Sequence, residues 1–147
     1  MIIAGIPLRD LHRVWSDLWP LLEPAVKRSP DVPDACAQPA GWVLARLIAR
    51  DAQLWAVYDK GRPVAAVVTT LQIGPSDKRC LLWLVGGGRL GQWAADFVAV
   101  VEAWARAMGC VALWGSGRPG WTRIVKHFGG ERIADHNGQP AWQRRIV

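Results

Sequence analysis

The sequence has few of the residues that build metal sites, disulfide frameworks or membrane spans. Its 147 residues include three cysteines, an odd number without a CxxC pair, which predicts reduced thiols that act as small core residues. The three histidines lie at no ligand spacing from the cysteines, so we expect no metal site. No apolar stretch approaches the roughly 20 residues of a membrane span, and the first residues show no signal-peptide pattern. We therefore expect a protein of the cytoplasm.

Aromatic residues other than tryptophan are nearly absent. One tyrosine and two phenylalanines stand against ten tryptophans, which are spread along the whole chain. Most tryptophans fall in or beside apolar patterns, and this predicts core positions. Trp15 and Trp19 lie four residues apart on one helical face, and tryptophan is enriched at interface hot spots. We therefore predict that these two residues contact a partner.

The charge is basic but scattered. The net charge is +6, and no run of cations is longer than Arg144-Arg145. Such a surface is more typical of solvated side chains than of a nucleic-acid site, so nucleic acid is not expected as the main partner. The length and the 51% hydrophobic content predict a single domain over residues 1–147 with a sizeable core.

Apolar periodicity predicts helices and strands along the whole chain. A strand, a long helix that Pro20 kinks or splits, and a second helix precede a three-stranded meander. A central helix capped by Gly109 leads into a short apolar strand of parallel type. A short helix and two strands around the turn Asn137-Gly138 follow. The predicted strands are 1–6, 53–58, 63–73, 78–85, 111–114, 131–134 and 141–146, and the predicted helices are 8–27, 40–51, 91–108 and 119–128.

Two of these helices carry a clear apolar side. In the second helix, the residues expected on the apolar side are Val43, Leu44, Leu47 and Ile48. In the central helix, the expected buried stripe is Trp93, Phe97, Val101, Trp104 and Met108, and the expected water-facing residues are Asp96, Glu102 and Arg106.

A glycine-rich segment joins the third meander strand to the central helix. Glycines between a strand and a helix N-terminus are typical of loops that hold phosphate-bearing cofactors, because the backbone can approach the anion closely. The same segment is also compatible with a simple turn. The candidate cofactor-binding residues are Gly86, Gly87, Gly88, Arg89 and Gly91.

The order of elements resembles that of the GNAT family of N-acetyltransferases over nearly the whole chain. The resemblance implies an α/β (α+β) fold with a mixed, mostly antiparallel sheet, split at a central parallel strand pair and flanked by about four helices. More narrowly, the sequence is similar to small GNAT-like proteins encoded by tailed bacteriophages and prophages. The segments that carry this similarity are 15–20, 54–57, 85–87, 104–110 and 117–121.

The sequence departs from the pattern of active GNAT enzymes in two places. The family binds the pyrophosphate of coenzyme A with an R/Q-x-x-G-x-G/A loop, and residues 85–91 do not match that spacing. Many members have a tyrosine in the last helix to protonate the departing thiolate, but Tyr58 is the only tyrosine here. His127 lies near the expected position, as a proton donor or as an ordinary helical residue. No catalytic acid/base pair can be named.

These departures favour a catalytically degenerate GNAT-like protein that serves as a virion structural or assembly component, in the neck or tail. It would need no cofactor, would contact other virion proteins or copies of itself, and would occur in the bacterial host cytoplasm and in the virion. Arg118 and Trp121, in a Gly/Pro turn, join Trp15 and Trp19 as interface candidates. The alternative is an active acetyl-CoA-dependent N-acetyltransferase acting on an amine, with acetyl-CoA bound at residues 86–91.

Overall fold

The computed structural model describes residues 1–33, 36–117 and 129–147, which form a mixed α/β fold. Within these residues the strands hydrogen-bond in the order β1-β2-β3-β4-β5-β7-β6, and β4 and β5 form a parallel pair. The predicted fold class is therefore confirmed. The elements are β1 Ile2–Gly5, a 3-10 turn Leu8–Asp10, α1 Leu11–Arg28, α2 Pro39–Ile48, β2 Gln53–Asp59, β3 Arg62–Ile73, β4 Lys78–Gly87, α3 Leu90–Ala107, β5 Ala112–Ser116, β6 Glu131–His136 and β7 Gln139–Arg145.

The chain divides into two compact units. Unit 1 consists of Met1–Thr70 and Leu84–Trp93, and unit 2 consists of Leu71–Trp83 and Ala94–Val147. The single-domain organisation expected from the length stays a prediction.

Unit 1 has its core between the first two helices and the first strands. Leu18 and Leu22 of α1 and Val43 of α2 are fully buried. β2 is buried over four consecutive residues and β3 over five, as in strands covered on both faces. The hydroxyl of the buried Thr69 accepts a hydrogen bond from Trp55 Nε1 at 3.0 Å and donates one to Gln53 Oε1 at 2.9 Å. This polar group is thus satisfied inside the apolar core.

Pro20 does not split the first helix, and the kink that was the other expected outcome stays a prediction. α1 is continuous through both Pro20 and Pro24. The two prolines lie on the exposed side of the helix, as does Ser16. The carbonyls of Ser16 and Pro20, which lose their helical donors, therefore face water, and burial of Leu18 and Leu22 on the other side holds the helix together.

The second helix is shorter than predicted. α2 ends at Ile48, and Arg50 adopts a left-handed conformation with φ 64°. Val43 and Leu47 are buried as expected, but Leu44 is half-buried and Ile48 is 57% exposed. The apolar side is narrower than the sequence suggested because Ile48 lies in the last turn, next to the chain reversal.

Unit 2 is organised around β5. Its Leu113 and Trp114 are buried and pair in parallel with Cys80 and Leu81 of β4, while β7 pairs with β5 on the other side. Trp114 Nε1 donates to Gln72 Oε1 at 2.8 Å. Cys80 and Cys110 are buried free thiols, as predicted.

The central helix confirms most of the predicted stripe. Phe97 and Val101 are buried, and Gly109 has the left-handed φ of 85° expected of a C-terminal cap. Met108 was expected in the buried stripe, but it lies just past the helix and is 42% exposed. Glu102 was predicted to face water, and this prediction is wrong. Its side chain is only 13% exposed, because the guanidinium groups of Arg106 and Arg144 bind its two oxygens at 3.2 and 2.8 Å.

The last two strands form a hairpin. Asn137 and Gly138 both have positive φ, 50° and 76°, which is the geometry of the predicted tight turn. The predicted helix 119–128 lies outside the described residues. Among the helices that are described, none combines the length and apolar content needed to cross a membrane.

Candidate functional site

The segment between β4 and α3 has two halves with different surroundings. The first half is Gly86 and Gly87, which belong to β4 rather than to a loop. A Cβ at Gly86 would clash with the carbonyl oxygen of Leu21 and lie 2.8 Å from its carbonyl carbon. A Cβ at Gly87 would clash with the Val64 carbonyl oxygen, and the φ of Gly87 is 106°. We call Gly86 and Gly87 the packed half, since the protein's own backbone fills the space beside them.

The second half is Gly88 and Gly91, which we call the open half. Apart from its neighbours in the chain and the backbone of its own helix, an added Cβ at either position would meet no atom of the described residues within 4 Å. Neither has a φ in the left-handed range. Among the described residues, nothing in the packing or in the backbone geometry requires glycine at these two positions, and none of these residues fills the space beside them.

Gly88 is held in place by both of its backbone polar groups. Its N–H donates to the Val64 carbonyl oxygen at 3.1 Å, and its carbonyl oxygen accepts a hydrogen bond from Trp93 Nε1 at 2.9 Å. Trp93 itself is buried, so the donor is rigid. These contacts fix the point where the chain leaves β4 and enters α3.

The first turn of α3 presents backbone donors beside the open half. In a helix beginning at Leu90, the amides of Leu90 and Gly91 have no acceptor within the helix, whereas Gln92 N–H donates to the Arg89 carbonyl oxygen at 2.9 Å. Free amides at a helix N-terminus carry positive potential and suit phosphate oxygens. The donor set and the space beside Gly88 and Gly91 therefore fit a pyrophosphate group.

Arg89 is the charged residue of this segment. Its Nη1 donates to Asp59 Oδ2 at 2.7 Å, and its Nε and Nη2 donate to Gln92 Oε1 at 3.1 and 2.8 Å. The side chain thus connects the end of β2 to the first turn of α3. All of these contacts, and those of Gly86, Gly87 and Gly88, lie within unit 1.

Candidates for proton transfer are few. Burial raises the pKa of Tyr58 above its usual value, and the negative charge of Asp17 raises it further. Tyr58 therefore stays protonated at neutral pH. Asp59 is the only carboxylate in β2, β3 and β4, and it is bound to Arg89. His127 lies outside the described residues.

The predicted interface residues fall into two groups. Trp15 and Trp19 are both half-buried, and their ring centroids lie 5.6 Å apart with the planes tilted by 32°. Arg118 and Trp121 lie outside the described residues. The partner contacts assigned to these four residues stay predictions. Within the part of the chain that is described, no group of three or more His, Cys, Asp and Glu side chains is placed to hold a metal ion.

Four residues that position the site were not identified from the sequence. Leu21 and Val64 are distant in sequence from the glycines they contact, and Asp59 is distant from Arg89. Trp93 was assigned only a core role. For Trp93 a signal was available, because a tryptophan three positions into a helix can direct its N–H back to the preceding loop.

The fold is that of the GNAT acetyltransferases, as comparison with solved structures shows. Aminoglycoside 6'-acetyltransferase type Ii matches with a TM-score of 0.73 and 14% identity, over 100% of this chain and 98% of that one. Aminoglycoside 6'-N-acetyltransferase complexed with coenzyme A matches at 0.72 and 12%, over 100% and 98%. A mutant of agmatine N-acetyltransferase matches at 0.65 and 13%, over 99% and 98%. At identities this low, the structural match shows a common fold alone. The sequence matches no protein-family model and no curated protein.

The comparisons correct the function expected from the sequence. The proteins above are all named as acetyltransferases, and none points to a virion. The prediction of a catalytically degenerate virion component is therefore wrong, and the alternative is the better supported. The wrong prediction relied on the mismatch of residues 85–91 with the family's loop pattern, although the fold is shared with acetyltransferases.

Proposed function

We propose that this protein is an acetyl-CoA-dependent N-acetyltransferase acting on an amine. The observation that carries the proposal is the open half of the β4–α3 segment. Gly88 and Gly91 leave space beside the helix amides, in a fold that also occurs in a structure complexed with coenzyme A.

In this proposal the backbone of the chain holds the cofactor. The amides of Leu90 and Gly91 bind pyrophosphate oxygens, and the absence of side chains at Gly88 and Gly91 lets the phosphates reach them. Val64 and Trp93 fix Gly88, so the donors are in place before the cofactor arrives. When bound, acetyl-CoA supplies a thioester whose acetyl group passes to the amine, forming an amide and releasing the coenzyme A thiol.

No described side chain is assigned to proton transfer. The amine must lose a proton to become an amide nitrogen, and Asp59, the carboxylate of the strands nearest the segment, is bound to Arg89. Tyr58 has a raised pKa, which suits a proton donor better than a base. An amine that is already neutral in part at the working pH needs no residue base.

A thiol-release assay tests the proposal. The purified protein is incubated with acetyl-CoA and with amines of the classes named in the comparisons, an aminoglycoside and agmatine, and free thiol is followed by absorbance after reaction with a disulfide reagent. Thiol release that depends on the amine, with acetylated amine found by mass spectrometry, supports the proposal. Absence of release with every amine, together with no binding of acetyl-CoA by the folded protein, contradicts it.

A matched pair of variants ties the activity to the segment. Gly88→Glu places a carboxylate in the open half, whereas Gly41→Glu makes the same charge change at an exposed position in α2. The first should lose thiol release and the second should retain it.

A further inference from the structure

Arg89 has an unusual backbone for a residue with a side chain. Its φ is 61°, in the left-handed region that glycine adopts far more readily than other residues. Glycines lie on both sides of it, at positions 86, 87, 88 and 91, so glycine would also be expected at position 89. The arginine side chain must therefore contribute contacts that offset the unfavourable backbone.

The guanidinium group of Arg89 binds other side chains of the protein. Nη1 binds Asp59, while Nε and Nη2 both bind the amide oxygen of Gln92. The three nitrogens of the guanidinium are thus engaged by the β2–β3 hairpin on one side and by the first turn of α3 on the other. The Asp59 carboxylate also neutralises the charge of Arg89 at 2.7 Å.

We propose that Arg89 is a positioning residue and not a phosphate ligand. Through Asp59 and Gln92 it holds the start of α3 against the β2–β3 hairpin, so that the amides of Leu90 and Gly91 keep their orientation toward the open half. This inference rests on the proposed function for its ligand, but the positioning itself is a property of the protein without ligand.

An exchange of charges separates the two roles. The variant Arg89→Asp sets two carboxylates against each other, and the double variant Asp59→Arg/Arg89→Asp restores an ion pair with reversed direction. Gln92 can serve both arrangements, because its amide has an acceptor oxygen and a donor nitrogen. Both variants carry aspartate at position 89, so the preference of that residue for the left-handed backbone is the same in each.

Two measurements are made on wild type and on both variants. Amide hydrogen exchange of Gly88 and Gln92, whose N–H groups donate to the Val64 and Arg89 carbonyl oxygens, is followed by NMR without ligand and reports how well the start of α3 is held. Arg89→Asp should speed this exchange by about three- to tenfold, and the double variant should return it to within about twofold of wild type. The affinity for acetyl-CoA, measured by calorimetry, should fall in Arg89→Asp and recover in the double variant. Arg13→Asp, at an exposed position in unit 1, makes the same charge change as Arg89→Asp away from the segment and controls for charge alone.

The outcomes decide the inference and the proposed function separately. Exchange that is the same in wild type and Arg89→Asp overturns the positioning role, whatever happens to binding. The positioning role is also overturned if the double variant restores slow exchange but binds acetyl-CoA as weakly as Arg89→Asp. In that case the arginine is needed as a ligand. If wild type binds no acetyl-CoA, the proposed function fails, and the exchange data still decide the positioning role.

Discussion

The packed half and the open half of the β4–α3 segment look alike in sequence and differ in structure. Gly86 and Gly87 have no side chain because the carbonyls of Leu21 and Val64 occupy that space. Gly88 and Gly91 have no side chain although none of the residues that the structure describes occupies the space beside them. The first pair is explained by packing alone. The second pair leaves room for the ligand that the proposed function places there, which is why the comparison bears on function.

The comparison also decides which substitutions are informative. A glutamate in place of Gly87 would clash with Val64 and strain a backbone at φ 106°, so it would report folding whether or not the segment binds a phosphate. Gly88→Glu enters free space at an ordinary φ. Binding should therefore be probed in the open half and stability in the packed half.

The largest expected effect is on stability in the packed half. Gly86→Ala should lower the free energy of unfolding by about 3 kcal/mol or more, since the methyl group clashes with backbone of α1 that cannot move without displacing the buried Leu22. Chemical denaturation followed by tryptophan fluorescence measures it. A loss below about 1 kcal/mol would show that the close approach of Leu21 and Gly86 is not as tight as described.

Loss of one hydrogen bond at the junction of the two halves should have an intermediate effect. Trp93→Phe removes the donor to the Gly88 carbonyl and should cost about 1–2 kcal/mol, part of it from lost packing. Amide exchange at Gly88 and Gln92, whose N–H groups are hydrogen-bonded, should also become faster. A variant with unchanged exchange at these positions would mean that the Val64 contact alone holds Gly88.

A small gain in stability is expected in the open half. Gly91→Ala adds a methyl group in free space within α3 and should stabilise the protein by about 0.5 kcal/mol, because alanine loses less backbone entropy than glycine. The same variant should bind acetyl-CoA more weakly, since the methyl lies beside the amides. Opposite signs for stability and affinity distinguish the open half from the packed half, and a loss of stability would contradict the distinction.

The smallest effect concerns Tyr58 of β2, which interacts electrostatically with Asp17 of α1. Burial raises its pKa above the usual value near 10, and Asp17 adds to the rise. The unfolded chain thus ionises first, so stability is unaffected below about pH 10 and falls as pH rises through the folded-state pKa. As the only tyrosine, Tyr58 can be titrated by tyrosinate absorbance. The midpoint should lie above 10 and move down in Asp17→Asn, with burial keeping part of the rise.

Local patterns predicted the fold well because they depend on neighbouring residues. The left-handed cap at Gly109 and the turn Asn137-Gly138 are fixed by a few adjacent positions. The site was harder to predict because its contacts are distant in sequence. Nothing near Gly86 reveals that Leu21 lies against it, and nothing near Arg89 reveals Asp59, which is 30 residues away. A run of glycines cannot show by itself which of them face protein and which face ligand.

Calorimetric titration with acetyl-CoA, on wild type and on Gly88→Glu, tests most directly whether the open half holds the cofactor. We expect wild type to bind with a dissociation constant on the order of 1–100 μM. Gly88→Glu should keep its unfolding midpoint and lose at least about tenfold in affinity, because the new carboxylate repels the phosphates beside the helix amides. Equal affinity in the two folded proteins, or no binding by wild type, would contradict the assignment of this segment as the cofactor site.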